Sequence, residues 1–136
     1  MSNDSSNVEL FEARSLSASL TVKDVQASLA WYRHVAGFAV LRKYEREGTV
    51  RAVAMNAGAV EILLVQDNGA KGLDRVKGEG FSLQFTTAQN IDELAERIKR
   101  RGGTLESEPA DVAGARAFRL LDPDGFRLVV SSERQR

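Results

Sequence analysis

The stretch Leu20-Thr21-Val22-Lys23-Asp24-Val25-Gln26-Ala27-Ser28-Leu29-Ala30-Trp31-Tyr32-Arg33-His34-Val35-Ala36-Gly37-Phe38 reads as the end of a strand, a turn, a helix and a stop. Leu16, Ala18, Leu20 and Val22 alternate with Ser17, Ser19, Thr21 and Lys23, the period of a strand with one apolar and one polar face. Asp24 can accept the free N–H groups of a first helical turn. The helix predicted over Val25 to Ala36 sets Leu29, Trp31, Tyr32 and Val35 among polar positions. It stops at Gly37, which tolerates left-handed backbone. Strands are predicted at Phe38–Tyr44, Val50–Met55 and Val60–Val65, with turn signals at Glu47-Gly48 and Asn56-Ala57-Gly58.

That order then repeats. A strand at Phe81–Thr87, a cap at Asn90 and a helix over Ile91 to Arg101 are followed by Gly102 and Gly103. Further strands follow near Thr104–Ser107, Arg116–Leu121 and Phe126–Ser131, the last two joined through Asp122-Pro123-Asp124-Gly125. Pro123 presets φ for that turn and Gly125 can take the positive φ that closes it. A shift of 65 residues carries Ser17 onto Ser82, Leu20 onto Phe85, Leu29 onto Leu94, Ala30 onto Ala95 and Gly37 onto Gly102. The reading is an α+β chain of two βαβββ modules, residues 14–66 and 80–136, joined by a Gly-rich polar linker over 67–79 and preceded by a flexible tail over 1–13.

Composition bounds the function. The chain has 136 residues, enough for one compact domain with a core. With 19 basic and 19 acidic residues it has no field to concentrate nucleic acid or an anionic membrane, and neither is an expected partner. It has no cysteine, which removes thiolate nucleophiles and cysteine metal sites and fits a reducing cytoplasm. The polar start lacks the order of a signal peptide, and no apolar run approaches the roughly 20 residues that span a bilayer.

The opening Leu20-x-Val22-x-Asp24-Val25-x-x-Ser28-x-x-Trp31-Tyr32-x-x-x-x-Gly37-Phe38 and the closing Asp122-Pro123-Asp124-Gly125-Phe126 resemble the vicinal oxygen chelate superfamily. That superfamily includes glyoxalase I, extradiol dioxygenases and bleomycin-resistance proteins. The resemblance covers about residues 15 to 132 and implies paired modules whose curved mixed sheets form a cleft, usually completed in a homodimer. It does not by itself give a function.

Strand parity sends Ser17, Ser19 and Thr21 to the face that lines such a cleft, and Ser82, Gln84 and Thr86 likewise. The resemblance implies metal ligands, histidine, glutamine or glutamate, at the positions of Ser17 and Ser82 and a glutamate at that of Val129. Hydroxyls and a valine are poor or useless donors for a divalent ion. Only Glu61 could fill an equivalent role, with two registers open: a shift of 67 maps it to Leu128, and one of 68 to Val129. The dioxygenase type of site needs two histidines, and the chain has only His34, near a helix end where a cationic side chain suits the dipole. Glu61 and Arg127 interrupt apolar strands, so each faces either open solvent or the cleft, where Arg127 could hold a ligand carboxylate.

The reading favours a metal-free protein that sequesters a small organic ligand, bound by Ser17, Ser19, Glu61, Ser82, Gln84 and Arg127, with no metal and no other cofactor. One alternative is a glyoxalase-like lyase or isomerase holding zinc, nickel or manganese through Glu61 and a partner subunit. Another is a metal-free enzyme with Glu61 or His34 as base.

Overall fold

The computed structural model describes residues 9–133. Of the expected tail, residues 1–8 lie outside that range, and the described part from Glu9 onward has no helix or strand before Ala18. The first module runs β1 (Ala18–Val22), α1 (Val25–Trp31), a π-helical turn (Tyr32–Ala36), β2 (Ala39–Arg46), β3 (Thr49–Ala57) and β4 (Val60–Gln66). The second runs β5 (Ser82–Thr87), α2 (Ile91–Arg100), β6 (Leu105–Val112), β7 (Ala115–Leu121) and β8 (Arg127–Ser132). The sheets have orders β1-β4-β3-β2 and β5-β8-β7-β6, with β1/β4 and β5/β8 parallel. Both are four-stranded, mixed and open, the α+β architecture expected from the sequence.

Local chemistry sets the boundaries. Asp24 Oδ1 accepts from the N–H groups of Gln26 and Ala27 at 3.1 and 3.2 Å, and Asn90 Oδ1 accepts from Glu93 N at 3.0 Å. Gly37 and Gly102 close the helical segments with φ of 86° and 95°. Pro109 lies within β6, tolerable because β6 is an edge strand and a proline can leave its missing N–H on the open side.

One face of each sheet is buried. Leu20, Val22, Val53, Met55, Ile62 and Leu64 form the covered face of the first, and Phe118, Leu120 and Leu128 that of the second. All belong to one continuous core, and the edge-to-face pair Phe38–Phe85, with ring centres 5.9 Å apart, carries it from one module to the other. Leu16 departs from expectation: it precedes β1 and is 93% exposed. Its register would have continued the apolar face, but pairing with β4 begins only at Ala18.

The internal repeat is real but not uniform. The buried helix positions Val25, Leu29 and Tyr32 correspond to Ile91, Ala95 and Ile98, a shift of 66 rather than the 65 that matched Leu29 with Leu94. The π-helical turn inserts one residue into the first helical segment, which restores 65 at Gly37 and Gly102.

The modules are locked at their junction by polar groups as well. Tyr32, fully buried, donates its hydroxyl to Asp122 Oδ2 at 2.7 Å. Asp122 Oδ1 accepts from the backbone of Asp124 and Phe126 at 2.9 and 2.8 Å. Asp124 Oδ2 accepts from Lys23 N at 2.7 Å and lies 3.7 Å from Lys77 Nζ, which reaches Asp67 Oδ2 at 2.9 Å. The segment between modules is thus strapped down at both ends, since Asp67 and the Lys77 side chain are buried.

Candidate functional site

The uncovered face of each sheet is a cleft wall, and strand pairing fixes its rows. On the first wall Ser19, Leu63, Ala54 and Arg42 lie side by side, and Thr21, Val65, Ala52 and Tyr44 form the next row. On the second wall one row is Gln84, Val129, Arg119 and Ser107, and another is Ser82, Arg127 and Leu121. The parity expected for Ser19, Thr21, Ser82, Gln84 and Thr86 therefore agrees with the observed faces, while Ser17 sits exposed just before β1.

Pairing also decides the register of Glu61. Ser19 pairs with Leu63, and Gln84, its counterpart 65 residues on, pairs with Val129. Leu63 is accordingly the first-module equivalent of Val129, and Glu61 that of Arg127. The shift is 66, neither of the two registers left open by the sequence. Glu61 stands exposed beside Asn56, one row away from the metal-ligand position to which it had been a candidate. The resemblance implies ligands at Ser17, Ser82 and Val129, and the pairing adds Leu63 as the first-module equivalent of Val129. Two alcohols and two hydrocarbons do not fit a divalent metal. Among the described residues no three histidine, aspartate or glutamate side chains cluster.

Arg127 is not a free anion receptor. Its Nε and a terminal nitrogen donate to the two oxygens of Glu106 at 2.7 and 2.8 Å, a bidentate pair. That hydrogen bonding holds the Glu106 carboxyl below its ordinary value, with burial acting against it. Glu106 is not legible as the partner of Arg127 from periodicity, because a bulge between Leu105 and Ser107 breaks the period of β6 there.

Two other guanidinium groups stand on the walls. Arg42 Nε donates to Tyr44 Oη at 2.7 Å, and neither Arg42 nor Arg119 has a carboxylate within ion-pair distance among the described residues. The bulge between Val40 and Arg42 breaks the parity of β2, so the strand predicted over Phe38–Tyr44 does not by itself show that Arg42 and Tyr44 face the wall. His34 lies exposed in the π-helical turn, on the helix side of the sheet and away from the wall. Asp122 and Asp124 serve the turn as well as the junction. Burial pushes the Asp122 carboxyl up despite the Tyr32 hydroxyl, and burial beside that carboxylate pushes the Tyr32 phenol up as well.

Paired βαβββ modules, each with one covered and one open sheet face, define the fold class of the chain. The chain belongs to the Glyoxalase/Bleomycin resistance protein/Dioxygenase superfamily, whose pattern matches residues 14–130. It is 29% identical over 122 residues to the lactoylglutathione lyase of Salmonella typhimurium, covering 85% of this chain and 89% of that one. Its fold is similar to a superfamily member from Sphaerobacter thermophilus, with a TM-score of 0.74 at 24% identity over 91% of this chain and 100% of the other. TioX from Micromonospora sp. ML1 is similar too, with a TM-score of 0.72 at 17% identity over 88% of this chain and 98% of that one.

Proposed function

We propose that this chain is a metal-free small-molecule-binding protein that sequesters an organic ligand between its sheet walls, in a cleft completed by a second copy. The observation that carries the reading is the donor set: Ser17, Leu63, Ser82 and Val129 stand where the superfamily's metal enzymes place strong ligands. The first wall offers an apolar floor of Leu63, Val65 and Ala54, edged by Ser19, Arg42, Tyr44 and Glu61. Such a surface suits a ligand with an apolar body and a hydrogen-bonding or acidic group, which Arg42 receives more readily than Arg127 because Glu106 already occupies the latter.

Support for the second copy comes from the arrangement within one chain. The two sheets share no strand pairing, and the modules meet through the π-helical turn, the end of α2 and the turn after β7. Each wall is therefore left without a facing wall from its own sheet order, as a symmetric dimer would require.

The kinship with a lactoylglutathione lyase favours a second reading, a metal-dependent lyase. It needs strong donors from outside the four positions. Calorimetric titration of the purified chain with nickel, zinc and manganese separates the two. No binding heat is expected, and saturable uptake of any of these ions would sink the metal-free reading.

A further inference from the structure

The chain carries exposed apolar side chains next to an apolar crevice that has unpaired cations on its rim. Leu10, Phe11 and Leu16 lie in the irregular segment before β1 and are 71%, 92% and 93% exposed, an unusual apolar load to leave in water. Where the β3–β4 turn meets β5 and α2 there is a crevice of about 760 Å³. Phe85, Leu94, Leu128 and Val130 supply apolar wall, and Arg97 and Arg101 line it too. Neither arginine has a carboxylate within ion-pair distance among the described residues.

The segment is rooted at that crevice. Ala18 pairs with Ile62, so the chain leaves β1 two residues from Val60, which lines the crevice itself. Phe11 is six residues before Ser17, a reach of up to about 20 Å when extended. The charges match as well: Glu9 and Glu12 flank Leu10 and Phe11, and neither acid has a cationic partner among the described residues.

We propose that the segment Glu9–Leu16 folds back over the crevice of its own chain, seating Leu10 and Phe11 between β5 and α2 and setting Glu9 and Glu12 against Arg97 and Arg101. Tethering at Ala18 gives the segment a high effective concentration at this one site, so an intramolecular contact of modest strength is populated. The apolar side chains of the crevice belong to the helix face of the second sheet, and it borders the cleft wall through Gln84 and Thr86, which also line it.

The test uses the full chain, whose lack of cysteine makes introduced thiols unique. Ala13→Cys combined with Gln89→Cys, on the crevice lip, leaves Leu10 and Phe11 in place and is treated with a short bismaleimide and mapped by mass spectrometry. A link within one chain is expected, with no mixed product when isotopically light and heavy chains are combined. Links only between chains would overturn the proposal in favour of arm exchange, and no link would overturn it outright. A second measurement follows chymotrypsin cleavage after Phe11. Arg97→Glu with Arg101→Glu is expected to speed cleavage about tenfold, and adding Glu9→Arg with Glu12→Arg to restore it. Cleavage at the wild-type rate in the charge-reversed variant would show that the segment is not held there, leaving the crevice to a small apolar anion.

Discussion

Tyr32→Phe isolates the polar lock between the modules, because it removes one oxygen and leaves the buried ring in place. The lost hydrogen bond, 2.7 Å to Asp122 Oδ2, is the only one that oxygen accepts from a side chain among the described residues. Asp122 keeps its two backbone donors on Oδ1, so the turn itself survives. A hydrogen bond to a buried carboxylate contributes about 1.5–3 kcal/mol, and its removal strands an oxygen without a donor. A loss of about 2 kcal/mol is expected at pH 7. With about 2.1 cal/mol/K of unfolding entropy per residue, that lowers Tm by about 7 °C for a chain of this length. The sign with pH follows from Asp122. Its carboxyl is raised in the native state, so stability falls as pH rises from the ordinary carboxylate value of about 3.9 through the native one. Below that window the protonated carboxyl needs no donor as badly, and the Tyr32→Phe penalty shrinks. Urea denaturation across pH measures both effects, with Tyr44→Phe, a surface hydroxyl, as control. A penalty under about 0.5 kcal/mol at pH 7, or one that does not change with pH, would refute the reasoning.

Gly103→Ala places a Cβ 2.5 Å from Ile98 Cγ2 and 2.8 Å from Val35 Cγ1, so overpacking at the junction is expected to cost about 1–3 kcal/mol by chemical denaturation. Asp67 is held down to about 2, first by its hydrogen bond with Lys77 and then by Gly69 N–H. A depressed carboxylate adds stability above its ordinary value that is lost as pH falls toward 2, so Asp67→Asn should flatten that part of the acid limb, followed by circular dichroism. Combining Ser17→His, Leu63→Glu, Ser82→His and Val129→Glu should confer nickel binding detectable by calorimetry if these four positions converge in the assembled protein. Arg42→Ala is expected to weaken any acidic ligand of the cleft about tenfold in Kd, whereas Arg127→Ala acts mainly through stability by stranding Glu106.

The strands and helices were legible because each carries its own period and punctuation. Asp24, Asn90, Gly37 and Gly102 act locally, and the structure uses each as the sequence suggests. Features that depend on an inserted residue were not legible. The π-helical turn, the bulge beside Leu41 and the bulge at Glu106 each break a period without altering composition. They account for the one-residue shift between the two helices, for the placing of Arg42 and Tyr44 on the wall, and for the pairing of Arg127 with Glu106. The register of Glu61 failed for a related reason, since an apolar strand offers no internal mark of where pairing begins. Tyr32 and Asp122 show a different limit: each had a sufficient local explanation, in a helix stripe and in a turn, and only the fold brings them together.

The claim that the cleft binds a small molecule without a metal is tested most directly by a thermal-shift screen of apolar acids and phenols, run in parallel with and without chelator. A saturating ligand at 100 times its Kd adds about 2.7 kcal/mol, a shift of several degrees for a chain of this size. The account expects a hit whose shift is unchanged by chelator and reduced by Arg42→Ala. A shift that vanishes with chelator and returns with nickel or zinc would contradict it.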